Sequence, residues 1–122
     1  MTLKELKRPG EAGREESGLL VVFGLESESL LESEFTQAKA GLLDWRQRRG
    51  PACGLVYFVF SGQPALHDFA EALFRDVYES ETELAPLLQS VEVQVALLGE
   101  DGQPVKQFVL PPGGQRPSAS SA

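Results

Sequence analysis

Residues 55–60 read LVYFVF, an unbroken apolar run that limits the positions this stretch can take in a fold. Successive side chains of a strand point to opposite faces, so a strand with this sequence is apolar on both. After the turn SGQP, apolar residues recur at helical spacing along one side of the next stretch. These residues are Leu66, Phe69, Ala70, Leu73, Phe74 and Val77. A buried strand leading into a covering helix is half of a βαβ unit, so residues 51–78 are the predicted centre of the domain.

The flanking segments predict further strands and helices. Residues 18–24, GLLVVFG, indicate a first buried strand, and residues 25–49 a helix that Ser27 or Ser29 caps. Arginines near residue 49 suit the end of that helix, because its dipole favours cations there. The stretch ETELAPLLQ predicts a short helix, with Ser80 and Glu83 at capping-box spacing. Residues 91–98 and 105–110 flank an Asp-Gly turn and predict an antiparallel hairpin.

This order, β-α-β-α-(short α)-β-β, predicts an α/β fold, with α+β as the alternative. We expect one compact domain over residues 18–110, built on a mixed four-stranded sheet with two main covering helices. The first two strands should be parallel, because strand–helix–strand connections of this length usually make parallel crossovers. Two strands that are apolar throughout argue for at least partial cover of both sheet faces. Residues 1–17 are expected to form a flexible charged arm, and residues 111–122 a disordered tail rich in Pro, Gly and Ser.

The net charge of −7 is held mainly by residues 18–110. An acidic domain repels a phosphate backbone, which disfavours direct nucleic-acid binding, whereas a basic protein would be attracted. The single cysteine excludes an intrachain disulfide, and no signal-peptide pattern is present, so a cytoplasmic location is expected. No apolar run approaches the roughly 20 residues that span a bilayer.

A ligand site is conceivable where the central strand meets its helix, at Ser61, Gly62, Gln63 and His67. Many α/β proteins bind ligands at such a junction, although the spacing matches neither a P-loop nor GxGxxG. His67 is interpreted as a surface or boundary residue of its helix, and Cys53 as a structural thiol. The sequence therefore predicts no catalytic residues, no metal site and no cofactor.

A candidate protein-docking surface lies around an acidic cluster near residues 79–83, where carboxylates lie beside leucines and a sheet edge is near. The residues assigned to it are Glu79, Glu81, Glu83, Leu84, Leu87 and Lys106. The leading hypothesis is a small cytoplasmic protein-interaction or adaptor module without catalytic activity. Its expected partner is another protein, such as a basic one, or a second copy of itself. One alternative is a ligand-binding domain or enzyme that uses the turn at residues 61–64. Another is an acidic antagonist of a nucleic-acid-binding protein.

Overall fold

The strands and helices follow one another along residues 1–9 and 15–114, the part of the chain that the computed structural model describes. Short 3₁₀ turns occupy Gly50–Ala52, Pro64–Leu66 and Pro112–Gly114. The main elements are β1 (Thr2–Pro9), β2 (Glu15–Leu25), α1 (Glu28–Arg49), β3 (Cys53–Gly62), α2 (His67–Ser80), α3 (Leu84–Gln89), β4 (Glu92–Leu98) and β5 (Pro104–Leu110).

A single mixed sheet joins the strands in the order β1-β2-β3-β4-β5. The pairs β2–β3 and β3–β4 are parallel, and each is connected through helices, whereas both edge strands are antiparallel to their neighbours. The predicted α/β class, the predicted parallel pair and the predicted C-terminal hairpin are confirmed. The sheet has five strands in the described residues, and the prediction of four is wrong.

The additional strand is β1, in a segment predicted to be a flexible arm. Thr2–Pro9 pairs with β2 along its whole length, from Thr2 opposite Val22 to Pro9 opposite Glu15. Charged side chains do not prevent this, because an edge strand satisfies its backbone on one side while its side chains stay in water. Of the remaining predicted arm, residues 15–17 belong to β2 and residues 10–14 lie outside the described residues. Most of the predicted disordered tail, residues 115–122, also lies outside them.

Local signals in the sequence account for both ends of α1. The Ser27 side chain accepts a hydrogen bond from the backbone N–H of Leu30 at 3.1 Å, which satisfies one of the unpaired donors of the first turn. Arg46, Arg48 and Arg49 lie in the last turn, where cations interact favourably with the helix dipole. Gly50 ends the helix with a φ of 53°, in the left-handed region that glycine adopts without strain.

The core lies between the helices and one face of the sheet, and aromatic rings form its centre. Phe58 of β3 stacks on Phe23 of β2 at 6.2 Å between centroids and meets Phe74 of α2 edge-on at 5.2 Å. Phe35 of α1 stacks on Phe23 at 4.6 Å, so one ring cluster joins two strands to two helices. The apolar face of α1, which includes Leu31, Phe35 and Trp45, is buried in this core.

All three helices cover the same face of the sheet. The core residues of the parallel strands lie opposite one another, as Val21, Phe58 and Val95 do, and the helix residues of the core pack on this set. No helix in the described part of the chain covers the opposite face, so the expectation of cover on both faces is wrong. The apolar run of β3 was interpreted correctly as apolar on both sides, but the described residues bury only one of them.

Candidate interaction surface

The uncovered side of the sheet is the candidate site, here called the open face. It carries the even-numbered residues of β1, β2 and β4, together with the odd-numbered residues of β3 from Leu55 onward and of β5 from Gln107 onward. Side chains alternate along each strand, so this assignment follows from the register and from the burial of the other set.

The centre of the open face is apolar. Leu20 lies opposite Tyr57, and Val22 lies opposite Val59, so large side chains from two central strands form adjacent pairs. Each of these four side chains is half-buried by its sheet neighbours and keeps part of its surface exposed. Toward the edges, the apolar surface continues through Leu6, Leu55, Leu98 and Val109, whereas Ala96 between them is buried. Val109 is 57% exposed, which shows how open the β5 side is.

A polar network borders this apolar centre at the end where the parallel strands begin. Arg8 of β1 donates from Nε to Glu16 Oε1 at 2.9 Å, and its terminal nitrogen lies 3.6 Å from Glu92 Oε1 on β4. Gln94 Nε2 donates to the other Glu92 oxygen at 2.6 Å. The hydrogen bond that Arg8 donates to Glu16 is the main reason that the pKa of Arg8 is raised. An apolar centre with a paired polar border is the usual anatomy of a protein interface.

Glycine makes room for this network. A Cβ atom on Gly54 would lie 2.7 Å from Glu16 Oε1, a separation that real Cβ atoms do not show. The Glu16 carboxylate therefore lies across β3 where any other residue would place a side chain. This close approach lets an arginine on the edge strand β1 reach a carboxylate on β4, three strands away.

The predicted ligand turn holds the ends of β2, β3 and β4 together. The backbone N–H of Gln63 donates to the carbonyl oxygen of Leu25 at 3.1 Å, and its side chain donates to the carbonyl of Glu26 at 3.1 Å. His67 is 8% exposed, so its interpretation as a surface or boundary residue is wrong. Its Nε2 donates to the carbonyl oxygen of Leu98 at 2.9 Å. Ser61 and Gly62 complete β3. The contacts of Gln63 and His67 are thus structural, and binding of a ligand here stays a prediction.

The residues of the predicted acidic docking surface are spread between the core and the helix ends. Leu84 and Leu87 are 2% and 5% exposed, so they are core residues and present no surface to a partner. Glu81, and not the predicted Ser80–Glu83 pair, caps α3, because its Oε1 accepts from the backbone N–H groups of Glu83 and Leu84. Lys39 pairs with both Glu81 and Glu83, at 2.8 and 3.0 Å.

Two other residues assigned to that surface remain outside this cluster. Glu79 is exposed near the end of α2. Lys106 of β5 donates to Glu71 Oε1 of α2 at 2.8 Å, and this bond is the largest cause of the lowered pKa of Glu71. Lys106 thus ties the edge strand to the helix layer. Docking of a partner by either residue stays a prediction.

We expect the contribution of Glu81 to stability to depend on pH. Hydrogen bonds from Lys39, Leu84 and Glu83 lower the pKa of Glu81 from 4.5 to about 2, so the fold favours the charged form. A lowered folded-state pKa stabilises the protein above the unfolded value, and this stabilisation is lost as the pH falls toward about 2. The variant Glu81→Gln should therefore melt below wild type near neutral pH, and the gap in Tm should close as the pH falls. Calorimetry over this pH range measures it, with exposed Glu79→Gln as the control. An equal gap at every pH would contradict the prediction.

Cys53 is placed as a structural thiol, which agrees with its interpretation from sequence. It is 8% exposed, its Sγ lies 3.9 Å from the carbonyl oxygen of Trp45, and burial raises its pKa. Because only an accessible thiolate reacts readily, we expect the native thiol to react with a disulfide reagent at least about tenfold more slowly than the thiol of the urea-unfolded chain. Absorbance of the released thiolate gives both rates, and comparable rates would show that Cys53 is accessible in the fold.

The described residues also bear on metal binding and on membrane-spanning helices. No group of three or more His, Cys, Asp or Glu side chains there is arranged to hold a metal ion. Within the same residues, no helix has the length and apolar character needed to cross a membrane.

Comparisons of the chain with protein-family models, curated proteins and solved structures found no match. The case for a function therefore depends on the geometry of the chain itself.

The open face was missed in the sequence because its central residues were interpreted as core and residues 1–17 as a flexible arm. Leu20, Tyr57 and Val59 lie within apolar runs that a second helix layer could have covered. The available signal was the number of helices: two long apolar helix stripes and one short one cover about one face of a sheet this wide. Strand order was also needed, because only the register places Leu6 and Val109 on the same surface as Tyr57.

Proposed function

We propose that this protein is an interaction module without catalytic activity, and that it docks an apolar protein surface on the open face of its sheet. The observation that carries the proposal is the apolar open face itself, with Leu20, Val22, Tyr57 and Val59 at its centre. Strands with parallel neighbours on both sides are usually covered on both faces, and β3 is such a strand, with apolar residues on each side. A folded chain that covers one face leaves the other to a partner.

The chemistry of the open face favours a protein over a small molecule. Its apolar residues extend over all five strands and form a broad surface, whereas small-molecule sites are concave. Tyr57 lies near the middle, and its hydroxyl makes no hydrogen bond to another described residue, so this group can serve a partner. Tyrosines at the centre of an interface often supply much of its binding energy.

A photo-crosslinker placed on the open face tests this proposal. Benzoylphenylalanine at Val109, which is 57% exposed, should form a covalent adduct with a protein in cells that express the chain at its native level. The same group at Leu30, which is 38% exposed and lies on α1, serves as the control for chance collisions. The Val109 adduct should be lost when Tyr57→Lys is added, and mass spectrometry identifies the captured chain. If no adduct depends on Tyr57, the open face is not a docking surface.

The alternatives based on acidity stay predictions, and the structure offers them less support. A basic partner and the antagonist hypothesis both need carboxylates that are available to a second molecule. Glu5 is paired with Arg48 and Arg49, Glu71 with Lys106, and Glu81 with Lys39. Exposed carboxylates such as Glu28 and Glu32 on α1 make no ion pair within the described residues. Their binding to a basic protein would weaken strongly as salt is added.

A further inference from the structure

We infer that the occupant of the open face is a second copy of this chain, so that two sheets pack face to face about a two-fold axis. The inference rests on the proposed function and names the partner. In such an isologous pair the same patch serves both subunits, so the open face must match itself in charge, shape and area. Each of these can be checked on the described residues.

The charge of the open face permits self-association in a chain that is otherwise acidic. The whole chain carries −7, and two copies repel one another over most of their surfaces. The open face carries Lys4 and Arg8 on β1, Glu16 on β2 and Glu92 on β4, so its charges balance. Of these, Arg8 already forms ion pairs with both Glu16 and Glu92. The neutral surface of an acidic protein is the one on which two copies meet without a charge penalty.

Face-to-face packing also separates the acidic layers. Stacked sheets lie about 10 Å apart, and each helix layer adds about another 10 Å on the outside. The two helix layers would therefore be roughly 30 Å apart, beyond the screening length of about 8 Å at physiological salt. Contact through the helix layers would instead bring exposed carboxylates such as Glu28 and Asp76 toward those of the other copy.

The size and shape of the open face suit a sheet as partner. Five strands spaced about 4.8 Å apart, each about seven residues long, cover roughly 24 Å by 23 Å. That is about 550 Å² in projection, and the relief of the side chains brings the accessible area closer to the roughly 800 Å² per partner of a standard interface. Two sheets of this kind interdigitate as in a β-sandwich.

Association through the sheet edges is disfavoured. Lys4, Lys7 and Arg8 place positive charge along β1, which hinders pairing with another β1. The other edge, β5, begins with Pro104 and is bulged against β4 between Leu97 and Leu98. Proline and bulges are common devices against edge pairing. The face, and not an edge, is therefore the surface that two copies share.

The undescribed segments of this sequence are unsuited to cover the open face. Residues 10–14 read GEAGR and residues 115–122 read QRPSASSA. Neither contains a leucine, isoleucine, valine, methionine or aromatic residue, so neither offers a large apolar side chain to pack on Leu20, Tyr57 and Val59. The occupant must come from a surface with large apolar groups, and the same face of a second copy provides one.

Sedimentation equilibrium of the purified chain tests the inference. Wild type should sediment as a dimer at micromolar concentration. Tyr57→Lys should raise the dimer Kd by at least about 30-fold, because the symmetry places two buried charges in the interface. Val109→Lys, nearer the rim, should raise it by about tenfold. Leu30→Lys introduces the same charge at a comparably exposed apolar residue of α1 and should leave the Kd unchanged.

The two lysine variants remain informative even if one of them does not fold. Val109 is 57% exposed, so a lysine there does not threaten the fold, and this variant settles the question if Tyr57→Lys does not fold. If wild type is still monomeric at a protein concentration of roughly 100 µM, the second-copy inference is overturned. A dimer that neither variant weakens overturns it as well. In either case, a Tyr57-dependent adduct between the Val109 crosslinker and a different protein would leave the proposed function standing. If the Val109 crosslinker forms no Tyr57-dependent adduct with any protein, the proposed function is removed as well.

Discussion

Replacing Phe58 with alanine should lower the free energy of unfolding by about 3–5 kcal/mol. Phe58 is 1% exposed, and its ring contacts Phe23 on β2, Phe35 on α1 and Phe74 on α2. The truncation therefore leaves a cavity where two helices meet the sheet, and the surrounding rings cannot close it without leaving their own stacked positions. Folded domains are stable by only about 5–15 kcal/mol, so the loss takes a large part of the total.

Urea unfolding followed by circular dichroism measures this loss. The midpoint should fall while the m value stays the same, because the variant exposes a similar area on unfolding. Leu30→Ala is the control, since Leu30 is 38% exposed and its truncation should change stability by less than about 0.5 kcal/mol. A change below about 1 kcal/mol for Phe58→Ala would show that the ring cluster is not the packed centre described above.

Replacing Gly62 with alanine should cost about 2–4 kcal/mol, which is the second large effect we expect. Gly62 has a φ of 146°, a conformation that side chains rarely adopt. An added Cβ would also lie 2.8 Å from the carbonyl oxygen of Leu25 and 2.9 Å from its nitrogen. Both atoms belong to the backbone of β2, so the clash cannot be relieved by turning a side chain.

Gly50 offers a matched control for Gly62. It also has a positive φ, 53°, but a Cβ there would meet no atom within 4 Å. Gly50→Ala should therefore lose only the free energy of holding alanine at φ 53° and ψ −126°, about 1–3 kcal/mol, without the steric contribution that Gly62→Ala adds. Urea midpoints of the two variants separate conformational strain from steric contact. Equal losses at the two positions would contradict the tight junction between the ends of β2 and β3.

The central unit of the fold could be predicted from sequence because its signals were local. The apolar run at 55–60 and the helical spacing from Leu66 to Val77 each indicate one kind of element, and the structure has both. Ser27 was one of two predicted caps for α1, and it is the one that bonds the first turn. Local propensity and hydrophobic period were sufficient for these elements.

The rest depended on neighbours that a single sequence does not reveal. The segment LKELKR in β1 has the composition of a flexible arm, and it forms a strand only because β2 offers its backbone. Which residues form the open face depends on the strand order and on which face of the sheet the helices cover. A run such as LVYFVF specifies two apolar sides but does not say whether this chain or another covers the second side. The sequence also does not say which side of the short helix α3 faces the sheet. Leu84 and Leu87, which were predicted to dock a partner, are therefore core residues that only the structure identifies.

The order of the strands in the sheet has a consequence for how the chain assembles. Because the spatial order is the same as the chain order, each new strand adds beside the one made just before it. No strand has to be inserted between two that are already paired, and every sheet contact joins segments that are near each other along the chain. During synthesis, a leading portion that ends after β3 already contains three paired strands and the helix that covers them. At each later stage only the most recent strand has an unpaired edge, and the next strand in the chain pairs with it. This shortens the period in which unpaired backbone is exposed to other chains.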